Sequence, residues 1–272
     1  MKKCALNNFA ALGHKEEKMW EPPLVGFASG DDPLFQFYKE EIGAFYMTPV
    51  EVFKTKYTDM DVKGEDLTVI SLAFSQSAAT KKAQARQKEE PCKRWMYSRN
   101  AWKPVVDELY AHISKVLAEH DIHFVIPDQM PQMKTMRSDK FGFASPWSQR
   151  HTAFIAGLGT FGLSDGLITK QGVAMRFTSL ITDQKIRSDK REYKKHQEWC
   201  LFGRNGSCGT CIKRCPAGAI TKSGHDKDKC KNYLDKIDKK FLQDPLFDQN
   251  GEVGCGLCQS ATPCANCSPM NG

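Results

Sequence analysis

The chain has 272 residues, is 40% apolar and carries a formal charge of +7. That length supports one substantial core with a small appendage. No run approaches the roughly 18 apolar residues of a bilayer span, which argues against a membrane protein. The basic residues are scattered, with local concentrations at Lys81–Lys93 and Lys185–Lys195. They read as solvated faces rather than a phosphate track, and so argue against nucleic acid as a partner.

After Lys2 and Lys3 the stretch CALNNFAALG is too short and too polar for a secretory h-region. The segment EPPLVGFAS then predicts an extended run, and Asp31 or Asp32 ahead of Pro33 predicts a helix start. Thr48-Pro49-Val50-Glu51 has Pro at the first helical position and Glu at the third, the arrangement of a capping box. LTVISLAFS over 67–75 is continuously apolar and β-branched, the pattern of a strand buried on both faces. Residues 81–91 are polar and read as a loop or an exposed helix. Val105, Val106, Leu109, Ile113, Val116 and Leu117 recur at helical spacing, and IHFVI over 122–126 is a second buried strand stopped by Pro127.

The passage PDQMPQMKTMRSDKFGFASPW is too long for a tight connection, and loops of that length tend to be functional. Ser145-Pro146 predicts the opening of a helix that ends at the AGLG glycines. GLITK and GVAMRFTSLITD predict two strands joined near Gln171-Gly172 as a closing hairpin. Helices and strands alternate before that hairpin, so an α/β (α+β) domain with a mixed sheet covered by helices is expected over 1–195. Gly157, Gly159 and Gly162 match G-x-G-x-x-G, but a helix precedes them and a strand follows. That inverts the dinucleotide-binding context, and the glycines read as a helix cap and a place for close backbone approach.

Of the eleven cysteines, all but Cys4 and Cys92 lie in 200–267. The run Cys208-x2-Cys211-x3-Cys215-Pro216 is the bacterial ferredoxin pattern for iron–sulfur cubanes, in which the cysteine before proline ligates the other cluster. Cys215 therefore belongs with Cys255 and Cys258, and Cys230, at the head of the predicted helix CKNYLDKIDKKF, is the fourth candidate. Cys264 returns to Cys208 and Cys211. A standard run would place the last thiolate at Asn205, so Cys200 is favoured, with Cys267 as the alternative. Zinc is the competing reading of the CxxC pairs. Two cubanes of roughly −2 each would bring the charge near +3. Free thiolates point to a reducing cytoplasm.

The segment AGLGTFGLSDGLIT, followed by GVAMRFTSLITD, CGTCIKRCPAGAI, CKNYL and CGLCQ, resembles the epoxyqueuosine reductase and reductive dehalogenase superfamily. The resemblance extends to EPPLVGFASGDDPLF and covers most of the chain. It implies a nitroreductase-like domain binding a corrinoid (cobalamin), and a C-terminal two-cluster ferredoxin-like domain over 196–272 with two [4Fe–4S] clusters. Cys215, Cys230, Cys255 and Cys258 would hold the distal cluster. The implied activity is a reductase that passes electrons from reduced ferredoxin or flavodoxin through the clusters to the corrinoid, and so to a small-molecule substrate. The alternative is an electron-transfer or corrinoid-binding protein without substrate chemistry of its own, and fold analogy to nitroreductases also admits a flavin. Tyr97 and Arg99, in RWMYSRNAW, fall where relatives carry a Tyr-x-Arg stretch, and a tyrosine beside a cation suits proton donation. His151, Gly157, Gly159 and Gly162 are candidate corrinoid contacts. The acidic residues that the family carries three positions before and after the proline of the AGLG helix are here Phe143 and Gln149.

Overall fold

A computed structural model describes residues 4–270; Lys2 and Lys3 lie outside them. In chain order the elements are β1 Leu24–Ser29, α1 Pro33–Ile42, α2 Pro49–Lys54, β2 Thr68–Ser75, α3 Ala78–Ala85, α4 Lys93–Asn100, α5 Trp102–Ala118, β3 Phe124–Val125, β4 Met136–Ser138, β5 Gly142–Ala144, α6 Gln149–Ile155, β6 Gly159–Phe161, β7 Leu167–Thr169 and β8 Met175–Thr182. The C-terminal part follows with α7 Leu201–Asn205, α8 Thr210–Arg214, β9 Ile220–Thr221, β10 Gly224–His225 and α9 Lys227–Phe241.

Local chemistry sets the helix starts. Asp32 caps α1 by accepting from the Leu34 N–H, with Pro33 at the first position. Thr48 and Glu51 form both halves of the capping box on α2. Ser77 caps α3, so 78–85 is helical, and its Gln84 is fully buried rather than solvated. Helix α6 begins at Gln149 under a Ser148 cap, later than Ser145-Pro146 suggests.

The central sheet runs β1-β2-β8-β3, and every pairing in it is antiparallel where the element order suggests a mixed sheet. Strand β2 is buried along both faces because it is sandwiched. Val69 and Ala73 join the core formed with Phe35, Phe53, Ala153 and Ile155, while Leu72 and Phe74 join the one formed with Trp102, Val105, Val106 and Tyr110. Helices therefore cover both sides, which explains an uninterrupted apolar strand. The expected closing hairpin is not formed as such. β7 pairs with β6 instead, and β8 crosses to the middle of the sheet, where its apolar residues gain cover on both faces. The long passage after Pro127 is a 3-10 turn followed by the β4–β5 hairpin.

Candidate functional site

The cysteine-rich segment folds as short helices and turns that bring thiols from distant positions together. Cys200 precedes α7, Cys211 lies within α8, Cys215 ends it, and Cys230 sits in the first turns of α9. Cys200, Cys208, Cys211 and Cys264 line one narrow apolar cavity with Leu163, Ile168, Phe202 and Pro263. Burial first, and then repulsion from Cys264, Cys200 and Cys208, pushes the Cys211 thiol up to about 12. Thr262 and Thr210 hydroxyls lie 3.3 and 3.6 Å from the sulfurs of Cys264 and Cys208.

The second group is Cys215, Cys230, Cys255 and Cys258. Burial and then the charges of its three partners hold the Cys258 thiol well above its ordinary value, and burial raises Cys255 to about 12. The Ala219 N–H donates to the Cys215 sulfur at 3.3 Å. Four half-buried thiolates held together repel one another, so each group has the character of a site for a cationic centre. Among the described residues no three His, Cys, Asp or Glu side chains converge in the manner of a single metal ion. Four thiolates on four separate irons stand farther apart than the ligands of one ion. Cys267 is exposed, and Cys4 is buried with its thiol 3.1 Å from Glu108.

Cys230, Cys255 and Cys258 also line a cleft of about 650 Å³. The group expected to be distal is therefore the one beside the cleft. The other walls come from Trp20, Trp95, Arg99, Trp102, Asp128, Trp147, Gln149, Arg150, Arg176 and His225. The turn that carries Cys255 passes close to α4 because Gly256 has φ +63° and no side chain; a Cβ there would meet Trp95 at 1.9 Å. Gln84 fixes the same turn by donating to the Cys255 carbonyl at 2.8 Å.

On the opposite wall Asp128 accepts from Tyr110 at 2.7 Å, Thr178 at 3.0 Å and Gln149 at 2.8 Å. His225 lies 3.1 Å from Asp165. Burial alone would lower its pKa, but Asp165 and the Cys230 sulfur raise it to about 9. Asp128 and Gln149 were visible in the sequence only as part of a long loop and as a replaced acid, while Trp20, Trp147 and Arg176 gave no local signal.

The other predicted contacts divide between the cleft and other places. Arg99 lines the cleft and pairs with Glu252 at 2.9 Å, but Tyr97 packs on Phe9 with ring centroids 6.1 Å apart. Two residues along a helix point to nearly opposite sides, which separates the expected pair. His151 lies in an aromatic cluster, 4.3 Å from the Tyr38 ring and 4.7 Å from Phe161, with Nδ1 at 2.7 Å from Ser148 Oγ. Gly157 takes φ +80° at the end of α6, and Gly159 lets β6 lie against β7, since a Cβ would sit 2.0 Å from the Ile168 carbonyl oxygen. Gly162 borders the cavity of the first thiol group. Phe143 is on β5, under the Arg137 guanidinium at 5.2 Å.

No protein-family model matches the chain. It is similar to a curated epoxyqueuosine reductase of Francisella cf. novicida (strain Fx1), 34% identical over 133 residues, which are 48% of this chain and 35% of that protein. The chain thus spans about a third of the length of that relative. The solved epoxyqueuosine reductase from Streptococcus thermophilus shares the fold at a TM-score of 0.50 and 18% identity, over 89% of this chain and 62% of that one. A structure of epoxyqueuosine reductase with an epoxyqueuosine-modified tRNA stem loop aligns at 0.45 and 18%, over 89% of this chain and 61% of that one. The chain is therefore similar to an epoxyqueuosine reductase over about half of its own length and shares the epoxyqueuosine reductase fold.

Proposed function

We propose that this chain is an iron–sulfur reductase, with an α/β part over 1–195 that holds the reacting cofactor and a ferredoxin-like part over 196–272 that feeds it electrons. Cys200, Cys208, Cys211 and Cys264 would hold one [4Fe–4S] cluster, and Cys215, Cys230, Cys255 and Cys258 the other. The observation that carries the reading is the sorting of eight cysteines into two half-buried groups of four, one of which borders a ligand-sized cleft. Electrons arriving at the first group from a low-potential one-electron donor would pass to the second and leave it toward the cleft.

A corrinoid in the cleft would supply a strongly reducing cobalt centre. The lining suits a large, flat, amide-fringed ligand. Four tryptophans offer apolar surface, and three buried polar atoms of lining residues, Trp20 Nε1, Gln149 Oε1 and Arg176 Nε, have no partner. Arg99 and Arg150 add positive charge to the same walls. With Phe143 in the position of the family's acid, Asp128 is the one carboxyl among the described residues of the lining, and its hydrogen bonds to Tyr110, Thr178 and Gln149 hold it at the wall.

Anaerobic reconstitution with iron, sulfide and hydroxocobalamin, then desalting and metal analysis, tests this. The reading requires about eight irons and one retained corrinoid per chain. Eight irons without cobalt would leave an electron-transfer protein as the better account. Candidate substrates for turnover then include both free small molecules and a modified nucleoside carried on RNA.

A further inference from the structure

We propose that Arg176 and Trp20 form an anion subsite at one end of the cleft, which takes a phosphate or carboxylate group of the molecule bound there. The inference deepens the proposed function and rests on the cleft being its ligand site. Arg176 Nε and Trp20 Nε1 are both buried without a hydrogen-bond partner, and both residues line the cleft. An indole and a guanidinium can only donate, so the missing partner is an acceptor oxygen. Leaving a buried donor unpaired is costly, and a bound ligand removes that cost.

The two donors are held in one place by the sheet. Arg176 lies opposite Phe74 in the β2–β8 pairing, and Trp20 bridges to Gln76, two residues further along. Trp102 packs between them, edge-on to Trp20 at 5.0 Å and beneath the Arg176 guanidinium at 5.6 Å. The arrangement is a rigid pair of N–H donors with a full positive charge beside an aromatic wall. Charge selects an anion over a neutral carbonyl. Asp128 is the one carboxylate among the described residues of the lining, and its oxygens are taken by Tyr110, Thr178 and Gln149. Those three donors are neutral, and among the described residues Asp128 makes no salt bridge to Arg176.

Two sources carry such a group: the phosphodiester of a complete cobalamin, or the substrate itself. Calorimetric titration of the chain reconstituted with iron and sulfide alone, free of corrinoid, with inorganic phosphate, against chloride at equal ionic strength, tests the subsite. Phosphate should bind the parent chain, and at least about tenfold more weakly the Arg176→Gln variant; Trp20→Phe, which keeps most of the buried volume, should also weaken it. Absence of phosphate binding above chloride, or equal binding by the parent and both variants, would overturn the proposal. Hydroxocobalamin and cobinamide, which lacks the phosphodiester, then separate the sources. If the cofactor fills the subsite, phosphate competes with hydroxocobalamin alone, and Arg176→Gln weakens that corrinoid alone. If the substrate fills it, both corrinoids bind parent and variant equally, and phosphate binds beside them. Iron and cobalt contents, measured on the same samples, report on the proposed function separately from the phosphate result.

Discussion

At the residue scale Cys200 is the departure from the ferredoxin pattern that matters most. Asn205 occupies the usual ligand position, and Cys200 lines the same cavity as Cys208, Cys211 and Cys264. A Cys200→Ala variant should lose about half of the reconstituted iron, whereas Cys267→Ala should lose none; the reverse pattern in iron and sulfide analysis would transfer the ligand role to Cys267. His151 makes a different kind of prediction. Burial first, and then Arg150 and His196, lowers its pKa from 6.5 to about 3. Below pH about 6.5 the unfolded chain takes up a proton that the native chain refuses until about 3, so stability falls as the pH drops through that window. The slope contributed is up to about 1.4 kcal/mol per pH unit. In urea titrations from pH 7 to 4.5, His151→Phe should lose stability less steeply than the parent; identical slopes would assign the acid sensitivity to other groups.

At the scale of elements, what could be read in advance is what short-range chemistry decides. The Pro33 and Thr48-Pro49-Glu51 starts, strand β2 and the amphipathic α5 all follow from neighbours within a few residues. Thr48→Ala should remove the side-chain cap on the Glu51 N–H and cost about 1 kcal/mol, read as a lower midpoint of thermal unfolding; no change would mean that tertiary packing alone fixes α2. Strand partners were not legible in the same way. GLITK and GVAMRFTSLITD are adjacent in sequence, yet β8 pairs with β2 and β3, because burial on both faces favours the middle of the sheet over a local hairpin. The cleft was the least visible feature. Its lining is drawn from Trp20, Trp95, Asp128, Arg176 and Gly256, residues that no local pattern joins. The cysteine groups could be proposed from the sequence because ligand spacing is itself a local pattern.

At the scale of the molecule, half-buried polar contacts join the cysteine-rich part to the residues before it. Arg214, between Cys211 and Cys215, donates to the Gln87 carbonyl at 2.6 Å, to Ser260 Oγ at 2.9 Å and to the Ser260 carbonyl at 3.1 Å. Asn100 donates to the Asp248 carbonyl at 3.0 Å and accepts from the Asp248 N–H at 2.8 Å. Arg214→Ala should cost on the order of 3 kcal/mol, and Arg214→Lys should recover only part of it, because a single ammonium cannot reproduce the fork. Calorimetric melting of the apo forms checks this, and equal melting temperatures for all three chains would show that the contact is not needed for docking.

These contacts accompany a second thiol group that borders the cleft, where a cluster would stand in electronic contact with a cofactor bound beside it. The most direct measurement is anaerobic electron paramagnetic resonance on the chain reconstituted with iron, sulfide and hydroxocobalamin, poised stepwise with a low-potential reductant. The account predicts signals from two reduced cubanes, mutually broadened, together with a chain-bound cobalt signal that is lost as reduction proceeds. Two reduced cubanes with all cobalt free in solution, or a bound cobalt signal that persists once both clusters are reduced, would contradict it.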